Sequence, residues 1–373
     1  MSDTVNTVLL DHAISHAIDL HRFSNGSVRR MIALLDRADP DLVAQIAAAL
    51  ERLPEGSFSV GQLENVLASV RQINAAAYQQ VFNEVPTEMR DLAAYETGYQ
   101  ADLLAHAIPE PILLQVKLAT VSADQVYAAA LARPFQGGLL SDWAANVEAS
   151  RMATIRNAIR LGFVEGQTTD KIVQRIRGTR ALGYTDGVLE GSRKGLGAIV
   201  RTALSHTAQT AREQVYGANA DIIKAVGWVS VLDARTTPEC QIRDGLQYSA
   251  DAAHKPIGHA VPWLQGPGRL HFCCRSTDVP VTKSWKELGL NIADAPEGTR
   301  ASMDGQLPAS TTYADWIAKQ SASRQDEILG PARGALMRSG GVPFPKMFTS
   351  RGDFLSLDAL RARDAASFAQ AGL

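Results

Sequence analysis

The sequence predicts a mainly α-helical protein: an elongated N-terminal helical bundle, then a small α+β module with a short β-hairpin or knuckle, then a helical C-terminal tail. Apolar residues recur at three- and four-residue spacing through the first part of the chain, which is the period of an amphipathic helix. The segment "AVGWVSVLD" then breaks this period, and its β-branched residues and terminal turn are typical of a strand. A long loop rich in Gly, Pro and His separates it from a second strand-like segment, "RLHFCCRSTDVPVT".

Length and composition indicate a soluble globular protein. The chain has 373 residues, enough for two or three domains, with 46% hydrophobic and 20% charged residues. We find no basic segment followed by an apolar run at the N-terminus and no stretch of about 18 apolar residues, so we expect neither a secretion signal nor a membrane span. Three cysteines are too few for a disulfide framework, which favours folding in a reducing cytoplasm.

Residues 1–150 are predicted to form an acidic helical region that docks onto a partner. They hold 9 Lys and Arg against 18 Asp and Glu, whereas the rest of the chain is mildly basic. Two solvated surfaces of different composition would explain the same asymmetry. The segments "PEGS", "VPTE" and "RPFQGG" predict breaks between helices. The apolar stripes are carried by Leu42, Ile46, Leu50, Leu92, Tyr95, Tyr99 and Leu103.

Residues 151–224 are predicted to form a basic helical region. Gly166 ends one helix, and Thr168 or Thr169 caps the next. The glycine-rich segment "RALGYTDGVLEGSRKGLG" predicts a hinge or hairpin before a further helix, in which Arg212 lies away from the apolar face. This region has 12 Lys and Arg against 6 Asp and Glu, so a salt-sensitive contact with DNA of any sequence is a further interpretation.

Residues 225–284 are predicted to form a β-containing module that carries the Cys and His residues, and residues 285–373 a C-terminal loop and helical tail. The two strand-like segments and the loop between them define the module. In the tail, "TTYADWIAKQ" has the pattern of a capped helix.

Cys240, His271 and Cys274 are candidate zinc ligands. Thiolate and imidazole are the side chains that structural zinc prefers, and His-x-x-Cys is a workable spacing. The alternative is that the cysteines are small buried hydrophobes and the histidine is a hydrogen-bonded turn residue. We favour neither a Cys–His nucleophile nor a disulfide between adjacent cysteines. A zinc ion would need a fourth ligand, for which the candidates are Cys273, Asp233, Asp244, His254 and His259.

The residues between the two strands predict two tight turns. In "LDARTT", Asp233 is placed to accept backbone N–H groups and Thr236 to close a side-chain loop. The Asp244–Gly245 pair is a turn signal. An arginine held against a carboxylate would fix this loop by paired hydrogen bonds, and we expect Arg235 or Arg275 to donate to Asp233 or Asp244.

These segments together resemble the phage Mu protein F-like family of minor head, or head morphogenesis, proteins. In that family a helix beginning with Arg-Thr-Glu leads to a Trp-containing strand, then to Asp-x-Arg-Thr, Cys or His, Asp-Gly, and finally His-Pro-Asn-Cys-Arg-Cys. This chain departs from the pattern at Ala203, Thr237, Phe272–Cys273 and Ser276. The matching positions are Arg201, Thr202, Trp228, Asp233, Arg235, Thr236, Cys240, Asp244, Gly245, His271, Cys274 and Arg275.

The resemblance implies a non-enzymatic minor capsid protein of a tailed bacteriophage. Such a protein is made in the host cytoplasm, enters the virion head, associates with the portal protein and other head proteins, and assists head assembly or DNA packaging and ejection. It implies no membrane partner and no catalytic residues, and contact with packaged DNA stays open.

The alternative function is a metal-dependent nuclease that uses Cys240, His271 and Cys274. A hydrolytic zinc site needs an open coordination position and a nearby base, and nothing in the sequence places either. Because Thr237 and Ser276 replace two cysteines of the family pattern, we expect no cofactor, with polar ties closing the module in place of zinc.

Overall fold

Two long helices, α1 (Val5–Glu51) and α3 (Ala68–Ala107), account for much of the N-terminal part of the chain in this computed structural model. The structure describes residues 5–52, 60–284, 287–288, 299–308, 311–349 and 351–373. The chain is 64% helical with one small four-stranded antiparallel sheet, so the predicted fold class is confirmed. The other helices of the N-terminal and basic regions are α2 (Val60–Val66), α4 (Glu110–Leu113), α5 (Ala123–Ala132), α6 (Leu140–Val164), α7 (Thr169–Arg177) and α8 (Val188–Ala218).

One predicted helix break is wrong. The segment "VPTE" at 85–88 lies inside α3, which continues through Pro86. A proline inside a helix removes a backbone hydrogen bond and costs about 3 kcal/mol. Here Val81, Val85 and Met89 are all buried, so packing of this helix face outweighs the local cost. The break at "RPFQGG" is confirmed between α5 and α6, and "PEGS" lies outside the described residues.

The chain folds into two compact units. The first contains Met1–Leu20, Ala94–Val126 and Ala208–Leu373, and the second contains His21–Ala93 and Tyr127–Thr207. Each unit therefore combines segments that are distant in sequence. The division at residues 150, 224 and 284 follows composition instead, and it stays a prediction.

The second unit is all-helical and has its own apolar core. Gly166 adopts a positive φ of 64° after α6, and the Thr168 side chain accepts a hydrogen bond from the Lys171 backbone N–H at the start of α7, as the sequence predicts. The predicted hinge "RALGYTDGVLEGSRKGLG" is correct only for its first half, because α8 begins at Val188. The core of the second unit includes Leu42, Ile46, Leu50, Leu63, Leu67, Val70, Ile155, Ile159, Ile172, Ile176 and Leu189.

The first unit contains the small sheet. Its strands are β1 (Ile223–Val229), β2 (Gln247–Ser249), β3 (Pro256–Ile257) and β4 (Thr277–Thr282), in the order β3-β2-β1-β4, and every pair is antiparallel. Strand β1 confirms the prediction from "AVGWVSVLD". The second predicted strand is shorter than expected, because it begins at Thr277 and leaves the segment from His271 to Arg275 in a loop. Cys273 in this loop has a φ of 56°, which is incompatible with an extended strand.

The C-terminal tail adds a second core to the first unit. The capped helix predicted from "TTYADWIAKQ" is α10 (Tyr313–Ala318), whose N-cap is Thr312. The buried side chains of Tyr313, Trp316 and Leu232 belong to this core. The short helix that precedes β2 and the remaining elements of the tail are α9 (Pro238–Arg243), β5 (Thr299–Ser302), β6 (Gly305–Pro308), α11 (Ala322–Leu329), α12 (Pro331–Arg338), α13 (Leu357–Arg363) and α14 (Ala365–Gln370).

Among the described residues, no helix is both long enough and apolar enough to cross a membrane.

Candidate functional site

The predicted turn after β1 is held from both sides by Asp233. Its Oδ1 accepts the Arg235 backbone N–H at 3.0 Å and the Thr236 hydroxyl at 3.2 Å. Arg275, from the loop before β4, donates to both carboxylate oxygens at 2.6 and 2.7 Å. Burial works against the charged carboxylate, but these hydrogen bonds, Arg275 first, lower the pKa of Asp233 below its ordinary value. The fixing arginine is thus Arg275, whereas Arg235 is 82% exposed with its Nε 3.8 Å from Asp233.

Asp244 and Gly245 form the second predicted turn. Asp244 has φ −59° and ψ 125°, and Gly245 has φ 79°, which together are the angles of a type II turn. A Cβ at Gly245 would lie 2.9 Å from the Thr312 side chain, so glycine is required by both conformation and space. The Asp244 carboxylate accepts the backbone N–H of Ser230 at 2.6 Å and of Tyr313 at 2.7 Å. Asp244 therefore ties the end of β1 to the start of α10.

Trp228 anchors the module in the sheet. Its side chain is buried, its indole N–H donates to the Ser230 hydroxyl at 3.1 Å, and its ring meets Trp263 edge-on with centroids 5.3 Å apart. The Ser230 hydroxyl donates in turn to the Cys240 carbonyl at 2.8 Å. The strand, α9 and the loop before β4 are thus joined through polar contacts beside a buried aromatic pair.

Cys240, His271 and Cys274 come together at the centre of the module. The Cys240 Sγ lies 3.7 Å from the Cys274 Sγ and 3.4 Å from the His271 Nε2. One potential ligand atom from each residue lies within 4.8 Å of the other two. Cys240 is on α9, and His271 and Cys274 are on the loop before β4, so this cluster joins α9 to the loop from which Arg275 reaches Asp233.

The pKa values of the two thiols are shifted in opposite directions. The hydrogen bond from Cys240, helped by the facing His271, lowers the pKa of the Cys274 thiol well below its ordinary value despite burial. The same hydrogen bond and burial raise the pKa of Cys240 well above its ordinary value. Burial opposes a charged imidazole, but the sulfur of Cys274 outweighs it and raises the pKa of His271. The cluster therefore favours a thiolate at Cys274, the form that binds metals.

The other candidate ligands lie elsewhere in the module. His254 stacks on Trp263 with centroids 4.4 Å apart, and His259 bonds the Gln247 carbonyl at 2.8 Å through its Nε2. Asp233 and Asp244 are engaged in the two turns, and Cys273 is not part of the cluster. Within the described residues the metal-type cluster therefore has three protein ligands.

A buried charge network behind the module was missed by sequence reasoning. Arg212 on α8 donates to Asp278 on β4 at 2.8 Å and to Glu96 on α3 at 3.0 Å, and all three side chains are buried. His16 contacts the other oxygen of Glu96 at 2.5 Å, and Gln209 donates to Asp278 at 2.8 Å. The sequence predicts that Arg212 lies away from the apolar face of its helix, whereas the structure shows its side chain buried.

Arg243 and Tyr313 were missed as well. The buried Arg243 guanidinium donates to the carbonyls of Glu239, Pro262 and Arg351 at 2.6 to 3.0 Å. Burial lowers the pKa of Arg243. The Tyr313 hydroxyl donates to the Asp233 carbonyl at 3.0 Å. These contacts connect the module to the tail, and no local pattern in the sequence indicates them.

Residues 153–279 match the phage Mu protein F-like family. This match covers about a third of the 373-residue chain. The match begins in α6 and ends in β4, so it contains the Asp233–Arg275 pair and the Cys–His cluster, whereas Tyr313 lies beyond it. No curated protein and no solved structure matches the chain.

Proposed function

We propose that the protein is a non-enzymatic minor capsid protein of a tailed bacteriophage, which associates with the portal vertex and assists head assembly or DNA packaging and ejection. The observation that carries this proposal is the family match over residues 153–279.

The use of the motif residues supports a structural role. Asp233, Asp244 and Arg275 bond to other parts of the same module. Cys240 and Cys274 are 2% and 5% exposed, so a substrate would not reach them without opening the module. The contacts of these residues therefore hold the module together.

The acidic helices supply the docking surface in this proposal. Portal association would use charged side chains at the rim of a contact, where they steer association. Glu84 and Asp91 on α3 are exposed and lie within the acidic region. Further exposed acidic side chains are Asp11, Asp19, Asp41 and Asp102.

Co-expression with the portal protein of the same virus tests the proposal. We expect the two proteins to co-elute in size exclusion at low micromolar concentration. Charge reversal by Glu84→Lys together with Asp91→Lys should weaken binding to the portal protein and reduce the effect of salt on that binding. The matched control is Glu327→Lys with Asp358→Lys, two exposed positions in the tail, which should leave co-elution intact. Independent elution of the wild-type chain at both low and moderate salt contradicts portal association.

A further inference from the structure

The spacing of the Cys–His cluster equals the spacing of ligands around one zinc ion. Zinc–sulfur bonds are about 2.3 Å and zinc–nitrogen bonds about 2.0–2.1 Å, so tetrahedral coordination places two sulfurs about 3.8 Å apart and sulfur about 3.5 Å from nitrogen. The observed distances are 3.7 Å between the Cys240 and Cys274 sulfurs and 3.4 Å between the Cys240 Sγ and the His271 Nε2. A disulfide would need about 2.05 Å between the sulfurs, which this arrangement does not provide.

The His271 ring is oriented as a metal-binding imidazole. Its Nδ1 lies 3.0 Å from the Phe272 carbonyl, to which an Nδ1–H group can donate. With the proton on Nδ1, Nε2 carries the lone pair, and this atom lies 3.4 Å from the Cys240 Sγ. A hydrogen bond from the far ring nitrogen to a carbonyl is the usual companion of a zinc-bound histidine.

The neighbours of Nε2 also indicate coordination. The Cys240 Sγ and the Thr237 Oγ1 both lie within hydrogen-bond distance of this atom, at 3.4 and 3.1 Å, and the Cys274 sulfur belongs to the same group. One ring nitrogen has a single in-plane proton or lone pair, so it cannot satisfy both of these partners, and the Cys274 sulfur lies close by as well. A cation among these atoms satisfies all of them together.

We propose that Cys240, His271 and Cys274 bind one thiophilic divalent cation of the zinc type, with the Thr237 hydroxyl beside the fourth coordination position. Two thiolates and one imidazole form a soft donor set that selects zinc over magnesium or calcium. The ion joins α9 to the loop before β4 and so adds to the tie between Asp233 and Arg275. The sequence led us to expect no zinc, because two family cysteines are replaced; the side-chain geometry now argues for a site with three protein ligands.

Metal content and spectroscopy of the full-length chain test the site. The protein is stripped with a chelator under reducing conditions, loaded with zinc and passed through gel filtration. We expect one zinc per chain by elemental analysis and a higher melting temperature than that of the stripped protein. Cobalt in place of zinc should give thiolate-to-cobalt charge-transfer absorption and the visible bands of tetrahedral coordination.

Two variants, each with one cysteine replaced by serine, distinguish this site from adventitious metal binding. Cys274→Ser should lose the bound metal and the charge-transfer band, whereas Cys273→Ser removes the adjacent thiol and should keep both. Thr237→Cys places a third thiol at the fourth position without removing a ligand, and it should lower the Kd for zinc and strengthen the charge-transfer band. Absence of zinc after loading, equal metal content in the Cys274 and Cys273 variants, or no effect of Thr237→Cys on affinity overturns the proposal.

Discussion

Arg275 and Asp233, 42 residues apart in the chain, form a two-point ion pair in which the guanidinium donates to both carboxylate oxygens at 2.6 and 2.7 Å. The same carboxylate holds its own turn through the Arg235 backbone N–H and the Thr236 hydroxyl. One side chain therefore determines the local turn and fastens it to the loop that carries His271 and Cys274.

Asp233→Ala should lower the free energy of unfolding by about 1–3 kcal/mol, because it leaves the half-buried Arg275 without its acceptor and removes both turn contacts. Denaturant unfolding measures the change. Arg235→Ala is the matched control, since its guanidinium is 82% exposed and an exposed pair contributes little. Equal losses in the two variants would show that the Arg275 pairing is unimportant for stability.

Arg212→Met should destabilise the fold more strongly, by about 3–5 kcal/mol, because Glu96 and Asp278 would remain as buried charges without their shared partner. Thermal and denaturant unfolding measure the loss. Arg201→Met removes an arginine from the same helix that donates to the neutral Asn25, and it should cost much less. A small effect of Arg212→Met would mean that water or a rearranged network compensates the two carboxylates.

Stability should fall in acid partly through Glu96. Burial opposes its charge, but the hydrogen bond from His16 and the charge of Arg212 lower its pKa below the ordinary 4.5. A lowered pKa contributes stability that is present above the unfolded value and is lost as the pH falls through the folded value. Further side chains that lie beside Glu96 and Arg212 are Gln100, Tyr99, Tyr216 and Asp278.

Glu96→Gln should therefore flatten the dependence of unfolding free energy on pH below about 4.5, measured by denaturant unfolding across an acid pH series. Glu84→Gln, on the same helix but exposed, is the control and should leave the slope as in the wild type. An unchanged slope in Glu96→Gln would assign the acid sensitivity to other carboxylates.

The purified protein should not cut DNA. Cys240 and Cys274 are buried, so a substrate would not reach them without opening the module. Supercoiled and linear DNA are incubated with the protein and zinc, magnesium or manganese, and nicking is followed on gels. Cutting that persists through purification and disappears in His271→Ala would favour the nuclease alternative.

The caps and turns that sequence reasoning predicted correctly depend on short-range interactions. The Thr168 cap, the Asp233 turn and the Asp244–Gly245 turn each satisfy backbone groups within a few residues. Residue type and spacing are sufficient there, because the same residues that create the conformation also receive its hydrogen bonds. Strand β1 was predicted from its residue types, although its backbone pairs with the distant strands β2 and β4.

The failures depend on contacts between distant segments. Helix α3 continues through Pro86 because its buried face outweighs a local cost. Arg212 is buried because Glu96 and Asp278, 116 and 66 residues away, neutralise it. Neither partner is visible in a local periodicity.

The sequence by itself determined the helical class, the β module, its turns and the set of residues that could bind a metal. Only the tertiary structure decided that Arg275 is the partner of Asp233, that Asp244 binds the backbone of Tyr313, and that Cys240 lies within 3.7 Å of Cys274. Turns and caps are stabilised by hydrogen bonds between residues that are close together in the sequence. Pairing across 34 to 69 residues is decided by the packing of the whole unit, which places the groups and removes the water between them.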